Sequence, residues 1–102
     1  MNRTEYLLTQ AASEAVEFAH RITKALHFGL QEVEPGQPHT NATRAVGEFI
    51  DLVAVMDMLS KDGALEKPEP GEANAAIEAK RAKVEKYLSY AMNECGTVTS
   101  ES

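Results

Sequence analysis

Apolar residues along the chain fall into three helical patterns, separated by segments rich in proline and glycine. From Leu8 through Ala12, Ala15, Ala19, Ile22 and Leu26 they recur every three or four positions, one face of an α-helix. A second face of the same segment, Gln10, Glu14, Glu17, Arg21 and Lys24, keeps the same spacing and is wholly polar. Asn2 caps this helix with Glu5 three residues on, a capping-box arrangement, so the start is predicted near Arg3. Gly29 is predicted to end it, because glycine takes positive φ without steric cost.

The segment Gly29–Thr40 carries Pro35, Gly36 and Pro38 and reads as a long, at least partly ordered loop. A loop of this length in a small protein is more often functional than idle. Thr40 or Asn41 then caps a second helix reaching about Ser60, where Lys61, Asp62 and Gly63 break it. A connector from Ala64 to Gly71 holds Pro68 and Pro70. The third helix is expected over about Glu72–Asn93, with Ala73, Ile77, Val84, Leu88 and Ala91 as its apolar stripe and Gly96 as its stop. No strand-like alternation, internal repeat or low-complexity tract is present, so the predicted class is all-α, with one domain over residues 1–95 and a frayed tail over 96–102.

The second helix departs from ordinary amphipathic patterning. In AVGEFIDLVAVMDML (45–59), Val46, Phe49, Ile50 and Val53 take one side. Leu52, Val55 and Leu59 take the other, together with Glu48 and Asp51. A helix that is apolar all round is usually buried. Two neighbouring helices cannot cover it, so the chain is expected to form a homodimer or homotetramer that completes a helical bundle. Burying two carboxylates is costly unless a cation or a hydrogen-bond network compensates them.

Composition narrows the function classes. Net charge is −6 over 102 residues with no basic block, which argues against a protein that neutralises nucleic-acid phosphates. The single cysteine, Cys95, gives no internal disulfide framework and fits a reducing compartment. MNRTEYLLTQ lacks the basic-then-apolar layout of a signal peptide, and acids break the only apolar run. A cytoplasmic protein with no membrane partner is expected.

Candidate chemistry lies in two carboxylate pairs. Glu14 and Glu17, and Glu48 and Asp51, are each spaced i, i+3, so each pair shares one helix face. If the first two helices pack antiparallel, four carboxylates converge, and their mutual repulsion calls for divalent cations. Hard oxygen donors without paired His or Cys favour magnesium, or manganese, over zinc. Magnesium held this way points to phosphoryl or nucleotidyl chemistry. Arg21 and Lys24, on the stripe of Glu14 and Glu17, are candidates to face phosphates, and Gln10 could hydrogen-bond substrate from one turn earlier.

Glu17 and Arg21 also form an ordinary i, i+4 pair, and Asp57 has Lys61 as its natural partner. Glu17-Phe-Ala-His20 spells the ExxH of di-iron bundles, but Asp51 stands where a second His would be needed. Phe18, Phe28 and Phe49 read as core before base-stacking platforms, and Cys95 as an inert thiol.

The order ExxE, loop, ExxD, within LLTQAASEAVEFAHRITKALHFGL and NATRAVGEFIDLVAVMDML, resembles the MazG-like all-α nucleoside triphosphate pyrophosphohydrolases. The likeness spans roughly residues 7–90 and is strongest to small single-domain members often encoded by phages. It implies magnesium-dependent cleavage between the α and β phosphates of a nucleoside triphosphate, giving a monophosphate and pyrophosphate. It further implies in-line attack by metal-activated water. Glu14, Glu17, Glu48 and Asp51 would be the metal ligands and catalytic residues, and Lys80 and Lys83 of the third helix would contact substrate. The alternative, from a different class, is a non-catalytic helical oligomer whose acidic cluster binds a metal or a basic partner.

Overall fold

A computed structural model describes residues 1–99, and all secondary structure in them is helical. The helices are α1 (Arg3–Phe28), α2 (Asn41–Lys61) and α3 (Pro70–Tyr90), with a π-helical turn over Ala91–Cys95. The chain forms two compact units, Met1–Glu66 and a second beginning at Lys67.

In the first unit, α1 and α2 form an antiparallel hairpin. The capping box forms as the sequence requires: the Glu5 amide donates to Asn2 Oδ1 at 2.8 Å and the Asn2 amide to Glu5 Oε1 at 3.2 Å. At the other end of α1, Gly29 takes φ 102°, a conformation open to glycine and strained for other residues, and its amide donates to the Ala25 carbonyl at 2.9 Å. Arg3 Nε meets Asp62 Oδ2 at 2.7 Å, tying the start of α1 to the end of α2.

The hairpin's loop is ordered by its own hydrogen bonds. Glu34-Pro35-Gly36-Gln37 makes a tight turn, with the Gln37 amide on the Glu34 carbonyl at 2.9 Å and Gly36 at φ 88°. Proline followed by a positive-φ glycine is the type II turn signature. Thr40 is the cap of α2, accepting from the Thr43 amide at 3.1 Å. Asn41 does different work. Its side chain is buried, and Nδ2 donates to the Gly29 carbonyl and to Glu32 Oε1, both at 2.9 Å. One amide thus fastens the start of the loop to the helix that follows it.

The seam between α1 and α2 buries Leu7, Ala25, Ala45 and Leu59. Helical spacing places Leu7, Glu14, Phe18, Arg21 and Ala25 on the seam side of α1, and these are buried or half-buried. The purely apolar stripe of α1 is turned elsewhere: Leu8, Ile22 and Leu26 are exposed, Leu26 to 82%. Glu48, Leu52, Val55 and Leu59 form the seam side of α2, while Val46, Phe49, Ile50 and Val53 stay exposed. All-round burial of α2 is therefore not met within one chain.

In the second unit, α3 starts two residues earlier than predicted, at Pro70. Proline suits the first helical position, where its missing N–H has no partner to lose. The predicted last turn, to Asn93, widens into the π-helical segment, closed by Gly96 at φ 67°. No residue of α3 is buried, and Ile77 and Val84 of its stripe are about half exposed. Part of the predicted tail, residues 100–102, lies outside the described residues. No helix is long and apolar enough to cross a membrane among the described residues.

Candidate metal centre

Antiparallel pairing of α1 with α2 sets Glu14 opposite Glu48 and Asp51. Each of these three can offer a carboxylate oxygen within 4.8 Å of the others, a set that could hold a metal ion. Glu14 and Glu48 are half-buried in the seam and Asp51 is exposed. The Phe18 and Phe49 rings, one turn after Glu14 and directly after Glu48, meet at 5.8 Å between centroids, tilted by 53°.

Gathering like charges has an electrostatic consequence. Partial desolvation, then the negative charges of Asp51 and Glu48 and a hydrogen bond to Glu48, push the Glu14 carboxyl above its ordinary value. Glu17 adds the least to this shift. Glu17 is exposed and stands outside the three-residue set, so the structure brings together three of the four carboxylates that the sequence singled out.

Gln10 is half-buried one turn before Glu14, on the same side of α1. Arg21 and Lys24 lie farther along α1 and line a pocket of about 230 Å³ at the loop end of the hairpin, with Phe28, Glu32, Glu34, Pro35 and Asn41. Neither cation has an ion-pair partner among the described residues, so the expected pairing of Glu17 with Arg21 is absent there. The Lys24 ammonium sits 5.5 Å from the Phe28 ring centroid. Phe28, read from sequence as core, is 60% exposed. Arg44 Nη1 donates to Glu34 Oε2 at 2.8 Å, and this bond and charge hold the Glu34 carboxyl below its ordinary value.

Lys80 and Lys83 are exposed on α3, in the second unit. Asp57 pairs with Lys61 at 3.0 Å as its spacing predicts, and Cys95 is a free, exposed thiol. Five pocket residues, Phe28, Glu32, Glu34, Pro35 and Asn41, are not among the binding groups the sequence singles out. The available signal was weak: an aromatic at a helix end beside a Pro/Gly loop, and an asparagine next to a better capping threonine. No protein-family model, curated protein or solved structure matches the chain.

Proposed function

We propose that the chain is a magnesium-dependent nucleoside triphosphate pyrophosphohydrolase that works as a homo-oligomer in the cytoplasm. The observation that carries the reading is the convergence of Glu14, Glu48 and Asp51 from two helices to within 4.8 Å. The donor set fits the ion. Magnesium binds oxygen at about 2.0–2.1 Å, so opposite ligands stand roughly 4.2 Å apart, and small side-chain shifts bring three such carboxylates into one shell. Oxygen-only donors also suit manganese.

In this reading Glu14, Glu48 and Asp51 hold the ion and Glu17, one turn from Glu14, completes the acidic face. When bound, magnesium supplies Lewis-acid stabilisation of phosphoryl oxygens and lowers the pKa of a coordinated water. Gln10 offers hydrogen bonds to substrate from the turn before Glu14. Arg21 and Lys24 supply donors to the part of the substrate that extends toward the loop.

The exposed apolar residues of α2, Val46, Phe49, Ile50 and Val53, support assembly into a larger bundle. The resemblance of the ExxE and ExxD segments to MazG-like enzymes supports the choice of reaction. Release of pyrophosphate from a panel of standard and modified nucleoside triphosphates, with magnesium, tests the proposal. Wild type should release it, and Glu48→Gln should lose on the order of 100-fold or more in rate, since a catalytic metal is worth several kcal/mol. No release from any nucleotide, or full activity in the variant, would defeat it.

A further inference from the structure

The loop-end pocket is a second feature of the hairpin, and its chemistry differs from that of the acidic cluster. Arg21, Lys24 and Phe28 share one side of the last turns of α1, while Glu32 and Glu34 come from the loop. Arg21 and Lys24 line the same space as the Glu32 carboxylate, whose charge opposes a polyanion there. The pocket offers donors, acceptors and an exposed aromatic ring side by side. That combination matches a neutral heterocycle with both kinds of hydrogen-bonding edge.

The state of each group sharpens the match. Arg21 and Lys24 are half-buried donors with no ion-pair partner among the described residues. Glu34 is occupied by Arg44, whereas Glu32 uses Oε1 for Asn41 and keeps Oε2 for another donor. The Asn41 bonds and the Pro35–Gly36 turn fix this wall in place. Guanine presents acceptors at O6 and N7, to which arginine or lysine donates, and N–H donors at N1 and N2, which a carboxylate accepts. Uracil has no exocyclic amine for the carboxylate. A ring exposed like that of Phe28 adds sequence-tolerant stacking.

Position agrees with this. Asn41 precedes Glu48, and Arg21 follows Glu14, by seven residues each. Seven residues of helix advance about 10 Å, so pocket and acids lie along one seam within reach of a ribose and its phosphates. We infer that the loop-end pocket is a nucleobase subsite that fits guanine and discriminates against uracil, with Phe28 stacking on the base, Arg21 and Lys24 donating to O6 and N7, and Glu32 accepting from its N–H edge. The link to the acidic cluster rests on the pyrophosphohydrolase reading; the pocket's own chemistry does not.

Nucleosides without phosphate and without magnesium test it separately. Guanosine, inosine, uridine and inorganic phosphate are titrated into the full chain and followed by backbone amide shifts. Guanosine should bind, moving the amides of Phe28, Glu32 and Asn41, with uridine weaker by about tenfold or more. Phe28→Ala should weaken guanosine by about tenfold. In Glu32→Gln, which can still accept from Asn41, guanosine should lose its advantage over inosine, which lacks the N2 amine. Equal binding of guanosine and uridine, no nucleoside binding, or shifts caused by phosphate alone at these residues would overturn the subsite. Pyrophosphate release without nucleoside binding would sink the subsite and leave the enzyme reading standing. Guanosine binding without release from any nucleotide would do the reverse.

Discussion

Glu14 shows how one residue's surroundings set its protonation. Its carboxyl is raised above the ordinary 4.5 by desolvation and by Asp51 and Glu48. A carboxyl with a raised folded-state pKa binds more protons folded than unfolded between the two values, so stability falls as pH rises through that window. Wild type should therefore lose thermal stability relative to Glu14→Gln as pH climbs above 4.5, and saturating magnesium should narrow the gap; melting curves across that range check it. Glu34 has the opposite sign. Arg44 chiefly lowers its pKa, so its contribution is present above the unfolded value and disappears as pH falls through the folded one, and Arg44→Gln should weaken that acid-side dependence. Asn41→Ala removes the buried side-chain donor to the Gly29 carbonyl and to Glu32 Oε1, and denaturant titration should show a loss of about 1–3 kcal/mol. Some residue-level features were legible in sequence and some were not. The capping box was, because its two partners are three residues apart. The role of Asn41 was not, because its partners lie nine and twelve residues away and are set by how the loop folds.

For the helices, periodicity located α1, α2 and α3 to within a few residues, since caps and breakers act locally. It did not say which face of α1 meets α2. The polar stripe holding Glu14 and Arg21 lies along the seam, and the apolar stripe of Leu8, Ile22 and Leu26 is exposed. A repeat of 3.6 defines faces but not neighbours, and neighbours are chosen by the pairing as a whole. The three carboxylates were legible because the i, i+3 spacing and antiparallel pairing suffice to bring them together. The loop pocket was not, because it depends on the Pro35–Gly36 turn and on the position of Asn41. Leu59 is the one fully buried large side chain of the seam. Leu59→Ala should destabilise the hairpin by roughly 2–5 kcal/mol, read from the shift in denaturant midpoint.

At the scale of the whole molecule, the proposed assembly would cover the apolar faces of α1 and α2 that one chain leaves exposed. Sedimentation should show a dimer or larger species, and Ile50→Glu, on the exposed side of α2, should shift it toward monomer without removing the acidic cluster. In the proposed function, the acids gathered at the helix seam are stabilised by a divalent ion. Thermal unfolding with and without magnesium tests it most directly, in wild type, Glu48→Gln and Asp51→Asn. An ion bound at about 100 times its dissociation constant adds roughly 2.7 kcal/mol to the folded state, so the wild-type midpoint should rise clearly and both variants should lose most of the rise. An unchanged wild-type midpoint, or the same rise in all three proteins, would contradict the claim.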